Sequence, residues 1–405
     1  MLLARRMGPA LRQGLALLKK IGRLRYYLSL RSARAAETTH LVTEAGPSSG
    51  TAIGPRARCI LANLILGGAG LSACSAPPPE SLSDNNPSRY TTAQNIVYAS
   101  PQGFDLTMDI YTPTSNQGPY PVIVMFHGGG WLINNKSIMH QAAKYLATNS
   151  QYVVCNVNYR LLADSNNTVT LNQIIEDAFG AVLWVQENIH QYEGDGGRVA
   201  VTGDSAGAHL AAMVVNAGHQ LHRDGFAGDP LGFNPSYLPT ATTLKSLIQK
   251  GGIKVQAAVL SYGAYDLYAG ARGGFEKISN PFWLMSGSLP RGIFGPDYNV
   301  TDHAARYRAV SPRYNLPSAA QRRLPPQLLT AGSEDTLVTP ASVKAYQTLL
   351  DEAGHVTQYW EHEGRPHAYL DSGSNALLGI SFAADAPPAL DVMIEFFDSV
   401  FYHTD

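Results

Sequence analysis

From Tyr90 onward the chain alternates short apolar runs with longer stretches of helical period. Asn95–Ser100 and Phe104–Thr112 read as strands. Pro121–His127 is almost wholly apolar, as a central strand covered on both faces should be. Ser137–Ala147 reads as a helix, Tyr152–Tyr159 as a strand and Leu171–His190 as an amphipathic helix. Arg198–Thr202 is a strand and Ala206–Gly218 a helix. Strands follow at Val255–Ser261, Gln327–Gly332 and Val356–Trp360, with helices at Pro340–Ala353 and Ala389–Phe401. This alternation predicts an α/β fold, a mostly parallel central sheet flanked by helices. Two stretches break the rhythm, near 219–252 and near 262–326. Long segments of this kind are commonly functional insertions such as caps or lids. The second contains Pro281-Phe-Trp-Leu-Met285 and Phe294, which either wall a pocket or simply cover the core.

The region before Tyr90 is a different object. Residues 1–74 hold eleven Lys/Arg and two acids, whereas 75–405 hold 19 basic and 29 acidic residues. A basic leader therefore precedes an acidic body. After Arg58 no charge occurs until Glu80, and the uncharged stretch closes on Leu71-Ser-Ala-Cys74. It is too short and Gly-rich for a membrane span of roughly 20 residues, and it suits a signal peptide. Its end resembles the lipobox of bacterial lipoproteins, in which the Cys is acylated and becomes the new N-terminus. That resemblance implies lipidation at Cys74 and a location at the bacterial cell envelope, lipid-anchored or secreted. Residues 75–94, rich in Pro, Ser and Asn, then form a flexible tether. The apolar stretch lies far from Met1, so this reading expects translation to start within the region, at a codon such as that of Val42. The rival takes Met1–Arg34, Arg-rich and free of acids, as an organelle-targeting peptide. The remaining domain is expected over 95–405.

Composition removes several classes of function. The chain is 45% hydrophobic and only 15% charged, which excludes disorder. Thirty Lys/Arg stand against 31 Asp/Glu, so no basic excess points to nucleic acid. Three Cys exclude a disulfide scaffold and a multi-Cys zinc framework.

The strongest chemical signal is Gly203-Asp-Ser205-Ala-Gly207, directly after one predicted strand and directly before a helix. A nucleophile on so sharp a turn projects above the sheet, and only small neighbours fit around it. The following helix points its N-terminus and free N–H groups at a developing oxyanion. A second signal, His127-Gly-Gly-Gly-Trp131, closes the strand Pro121–His127. Consecutive glycines let a backbone approach a ligand and present N–H donors to it.

With Asn158-Tyr-Arg-Leu161 between them, these motifs resemble the hormone-sensitive-lipase-like branch of the α/β-hydrolase esterases. The resemblance covers roughly Asn95 to Phe401. It implies the α/β-hydrolase fold with cap or lid insertions, and a triad in the order Ser, acid, His. The family's Gly-x-x-Asp-x-Leu spacing selects Asp335 over Glu334, and the loop after the last strand offers His367. Ser205 is then the nucleophile, His367 the general base and Asp335 the group that orients it. Gly128, Gly129 and Ala206 are the expected oxyanion donors, and Trp131 is expected at the substrate site. No metal and no organic cofactor is expected. The expected partner is a small-molecule ester, with membrane contact only through the N-terminal anchor.

Other residues have plainer readings. Asp204 belongs to the turn, His209 to a buried hydrogen bond, His127 to the shape of the glycine loop and Cys155 to the core. His355, His362 and His403 read as surface residues. The leading expectation is a serine carboxylesterase on short- to medium-chain acyl esters. Acetyl or feruloyl esterase action on carbohydrate esters and arylformamidase-like amide hydrolysis are the alternatives. A catalytically silent binding module is the reading from another class, and it predicts a damaged triad that the sequence does not have. No distinct amphipathic lid is visible in the sequence.

Overall fold

The computed structural model describes residues 89–402. The leader expected over 1–74, its Cys74, most of the tether and His403 lie outside them. Eight strands form one sheet: β1 (Tyr90–Ala99), β2 (Leu106–Pro113), β3 (Tyr120–Phe126), β4 (Val153–Val157), β5 (Gly194–Asp204), β6 (Ala257–Ser261), β7 (Gln327–Gly332) and β8 (Thr357–His362). Their order is β1-β2-β4-β3-β5-β6-β7-β8. β1 and β2 are antiparallel to their neighbours, and β3 to β8 run parallel. The carboxyl ends of the parallel strands therefore share one edge of the sheet, where an open α/β sheet places its ligand.

The sheet is covered on both faces, and the period of two along each strand shows how. In β3, Val122, Val124 and Phe126 join one apolar cluster, while Ile123 and Met125 join the other. The first face packs against the helices that follow β4 and β5, namely Leu171–Asn188 and Ala206–Ala217; the second packs against His140–Asn149 and Phe382–Phe401. Every residue of Ala206–Ala217 is buried, so the helix that carries the N-terminal dipole is fixed from all sides.

Most predicted elements lie within a few residues of those observed, and two differ instructively. β1 begins at Tyr90, so residues 90–94 belong to the sheet and not to a tether. Its register shifts between Ala93 and Ile96, where Asn95 adopts φ 54°, and this bulge throws the polar alternation out of phase. The last helix begins at Phe382, ahead of Pro387 and Pro388, which read as its boundary. Its first turn is held from outside: Ser381 N–H donates to the Asp385 carboxylate at 2.7 Å, and His362 Nε2 to the Asp385 carbonyl at 2.7 Å. Pro387 and Pro388 withdraw the donors that would meet the Ala383 and Ala384 carbonyls, and these bonds fix the turn that precedes them.

Arg160 closes the stretch after β4 by pairing with Asp177 of Leu171–Asn188. Its Nε and Nη2 reach the two carboxylate oxygens at 2.8 and 2.7 Å, and Asp177 is fully buried. Asp177→Ala leaves a buried guanidinium without its counter-charge, so urea unfolding should show a loss of about 3–5 kcal/mol.

Of the two irregular segments, 219–252 covers the core. Phe226 and Phe233 are buried there against Phe179 and Phe294. The segment 262–326 carries three short helices, Leu267–Gly273, Pro281–Ser286 and Ala304–Ala309, and its part within 264–282 borders Ser205 at the carboxyl end of β5, whereas 317–326 runs past the amino ends. No helix among the described residues is long and apolar enough to cross a membrane.

Candidate active site

Ser205 sits between the end of β5 and the first residue of Ala206–Ala217, with φ 51° and ψ −115°. A non-glycine residue in this region is strained, and strain persists only where neighbours enforce it. The neighbours here are the two motif glycines. A Cβ on Gly207 would lie 2.0 Å from the Phe126 carbonyl oxygen, and one on Gly203 would lie 2.4 Å from the Gly207 carbonyl carbon. The Ser205 N–H donates to the Ser261 carbonyl at 2.9 Å, tying the turn to β6.

Three loops from three strand ends meet at this serine. His367, after β8, places Nε2 2.9 Å from Ser205 Oγ. Its Nδ1 lies 2.6 Å from Asp335 Oδ2, after β7. The other carboxylate oxygen of Asp335 accepts the Leu337 and Val338 N–H groups at 2.8 and 2.9 Å. With the carboxylate an acceptor on both sides, Nδ1 carries the proton and Nε2 is left to accept from the serine hydroxyl. Glu334, the sequence neighbour, is exposed, whereas Asp335 is buried. The acid and histidine loops are joined directly: Ser333 N–H donates to the His362 carbonyl, Glu334 N–H to Arg365, and Gly364 N–H to Ser333 Oγ.

The glycine loop lies on the opposite side. Gly129 and Gly130 have φ 121° and 60°. The Gly128 carbonyl is turned to His127 Nδ1 at 2.8 Å, and the Gly129 carbonyl accepts from the Leu132 and Ile133 N–H groups, each at 3.1 Å. A trans peptide points its N–H opposite its C=O, so the N–H groups of Gly129 and Gly130 face away from those bonds. Gly130 borders the cleft together with Ser205 and Ala206. Gly128 departs from the expectation. The Asp204 carboxyl is packed against it, so that a Cβ on it would lie 2.2 Å from Asp204 Oδ2. Gly130 stands at the cleft in its place.

Asp204 itself is buried away from His367's relay. Burial first, and the nearby Asp371 second, push its pKa well above the usual carboxylate range. Burial also raises Asp371 to about 6. Trp131 is buried at the cleft, where its indole N–H donates to His209 Nδ1 at 3.2 Å. His209 Nε2 donates in turn to the Val310 carbonyl at 2.7 Å, and His127 stacks on Tyr159. Cys155 is a buried free thiol, its pKa pushed up by burial.

The structure adds residues that the sequence did not single out. Tyr262, directly after β6 at φ 40°, packs the edge of its ring against His367 at 4.8 Å and accepts the Leu370 N–H. An aromatic residue at a strand's carboxyl end is the signal that could have found it. His355 and His362, expected at the surface, are buried. His355 bonds the loop carbonyl of Pro317, and His362 the carbonyl of Asp385 in the first turn of the last helix, each a backbone acceptor that burial would otherwise strand.

Burial lowers the pKa of His209 to about 4, below the unfolded value of about 6.5. As pH falls, the unfolded chain takes up the proton first. The stability of neutral His209 is thus whole above about pH 6.5 and is lost on the way down to about 4. His209→Gln should flatten the fall of the urea midpoint in that window.

The cleft beside Ser205 has a volume of about 490 Å³. Trp131, Phe275 and Phe282 supply aromatic walls, and Gly270 and Gly273 leave open space where a side chain would stand. A larger groove of about 1280 Å³ lies at the amino ends of β5, β6 and β7, and none of the relay residues lines it. Among the described residues, no group of three or more His, Cys, Asp or Glu side chains could hold a metal ion.

The sequence profile described as BD-FAE matches residues 108–350. Carboxylesterase NlhH of Mycobacterium tuberculosis is 27% identical over 282 residues, which span 70% of this chain and 75% of that protein. Esterase LipQ of the same organism is 28% identical over 284 residues, 69% of this chain and 58% of its own length. Among solved structures, the apo form of Thermogutta terrifontis esterase 2 superposes with a TM-score of 0.55 at 20% identity, covering 77% of this chain and 96% of that one. That likeness carries the α/β-hydrolase fold.

Proposed function

The chain belongs to the BD-FAE family and is a serine ester hydrolase, and from that premise we propose that Ser205, His367 and Asp335 cleave short- to medium-chain acyl esters. The observation that carries this reading is the relay of 2.9 and 2.6 Å from Ser205 Oγ through His367 to Asp335, open to an apolar cleft. Ser205 Oγ attacks the ester carbonyl carbon while its proton passes to His367 Nε2. Asp335 stabilises the imidazolium that forms. The carbonyl oxygen becomes an oxyanion between the N–H groups of Gly129, Gly130 and Ala206, at the N-terminus of Ala206–Ala217. Collapse of the tetrahedral species breaks the C–O bond to the alcohol, which leaves with the proton from His367. Water, deprotonated by His367, then attacks the acyl-enzyme, and the carboxylic acid departs from Ser205.

The cleft's size and walls suit an acyl group of a few carbons. A second reading, an aromatic acyl ester such as a feruloyl decoration on carbohydrate, is favoured by Trp131, Phe275 and Phe282 around one opening. Hydrolysis of p-nitrophenyl esters from acetate to palmitate, beside methyl ferulate, separates the two. The expected optimum lies at butyrate to hexanoate, with palmitate slower by on the order of 100-fold because its chain outgrows the cleft. Preference for ferulate would establish the second reading, and inactivity on every ester would sink both. The lipobox-like Leu71-Ser-Ala-Cys74 leads us to propose a lipid-anchored envelope enzyme. Palmitate labelling that Cys74→Ser abolishes is its test.

A further inference from the structure

We infer that the rim of the catalytic cleft docks on a lipid–water interface, so that this esterase draws substrate from a droplet or bilayer; the inference rests on the ester-hydrolase reading of the cleft. The helix Pro281–Ser286 sorts its side chains three ways. Phe282 lines the cleft and packs on the glycine loop, its ring 3.1 Å from where a Cβ of Gly130 would stand. Trp283 is fully buried, its indole N–H donating to the Phe275 carbonyl at 2.8 Å. Leu284 and Met285 point out, 44% and 64% exposed, flanked by Ile278 at 72% and Leu289 at 78%. Across the cleft, Leu337 is 57% exposed and lines the same opening. Of the twelve large apolar side chains exposed among the described residues, five therefore stand on or beside the segments that frame one mouth. Single exposed apolar residues need no explanation, but such a cluster marks a contact surface.

The display is held in place. The Asn280 side chain accepts the Phe282 N–H at 3.1 Å and donates to the Phe275 carbonyl at 2.8 Å. The Arg291 guanidinium donates to the carbonyls of Asn167, Leu162 and Gly292 at 2.7, 2.7 and 2.8 Å. These bonds keep the apolar side chains outward when they could otherwise fold onto the core. Arg272 and Lys277, both exposed on the same segment, add positive charge beside them, while Glu276 is engaged by Tyr307 and the Ile293 N–H. Apolar side chains flanked by cations suit the boundary between acyl chains and headgroups. The position identifies the occupant: a protein seated over this mouth would seal Ser205 from substrate, whereas a lipid surface delivers the ester to it. A six-residue helix is too short for its sequence to show an amphipathic lid, which is why the pattern appears only in the fold.

The test uses the full chain with Cys74→Ser, to remove an acyl anchor, and the same chain with Met285→Ser and Leu289→Ser added. Neither added position lines the cleft. Three quantities are measured: cosedimentation with phosphatidylcholine vesicles, hydrolysis of emulsified tributyrin, and hydrolysis of dissolved p-nitrophenyl acetate. Burying one such side chain favours transfer from water by roughly ten-fold, so the double variant should lose about 100-fold in vesicle partition and a comparable share of emulsion activity. Its kcat/KM on dissolved acetate should stay within about two-fold. Equal partition and emulsion activity in the two proteins would overturn the inference. So would a dimer, seen by sedimentation velocity, that the two substitutions dissociate. Inactivity of both proteins on dissolved ester would defeat the esterase reading instead, and partition onto vesicles is read without turnover.

Discussion

Ser205→Ala is expected to lower kcat on p-nitrophenyl butyrate by about a million-fold, the scale seen when a serine nucleophile is removed from a complete triad. The size follows from what remains. Without Oγ there is no covalent acyl-enzyme, and His367 loses the hydroxyl 2.9 Å from its Nε2. The residual rate rests on the glycine loop and cleft acting on water. The fold should be unaffected, because the turn is held through backbone: Ser205 N–H to Ser261, and His209 N–H to the Ser205 carbonyl at 3.1 Å. Alanine keeps both bonds. Equal melting temperatures with activity lost would assign the effect to chemistry, and retained activity would remove Ser205 from the mechanism.

Asp335→Asn should cost about 10⁴-fold in kcat through the wrong tautomer of His367. Oδ1 of Asp335 accepts two N–H groups, from Leu337 and Val338. An asparagine must keep its oxygen there, so its amide NH₂ faces His367 Nδ1. Nδ1 then becomes an acceptor and the ring proton moves to Nε2, where it meets the Ser205 hydroxyl as a donor. The site retains its geometry and loses its base. A fall in kcat with KM nearly unchanged separates this from a structural loss, and ¹⁵N chemical shifts of the imidazole report the tautomer directly.

How much of this was legible in the sequence depends on how local each constraint is. Gly203, Ser205 and Gly207 are fixed by one turn, and their neighbours are adjacent strands whose apolar runs are unmistakable. Asp335 and His367 followed from a resemblance and from their positions after the last two strands. The donors of the glycine loop were harder. Which of Gly128 and Gly130 faces the cleft depends on peptide orientation, and on that bear the Asp204 carboxyl packed against Gly128 and the Leu132 and Ile133 N–H groups that hold the Gly129 carbonyl. No spacing reveals it. The walls of the cleft come from 262–326, where Phe275 and Phe282 meet Trp131 across more than a hundred residues of chain. Irregular segments carry no period from which such contacts can be read. Tyr262, His355 and His362 escape for the same reason, since each makes its defining contact with a residue far along the chain.

The most direct test of the account is covalent labelling. The full chain is treated with a fluorophosphonate, and the adduct is located by intact mass and peptide mapping. The predicted result is one adduct per chain, on the peptide containing Ser205, with ester hydrolysis lost in proportion to labelling. A folded chain that takes no label, or carries it elsewhere while activity persists, would contradict the assignment of Ser205 as the nucleophile.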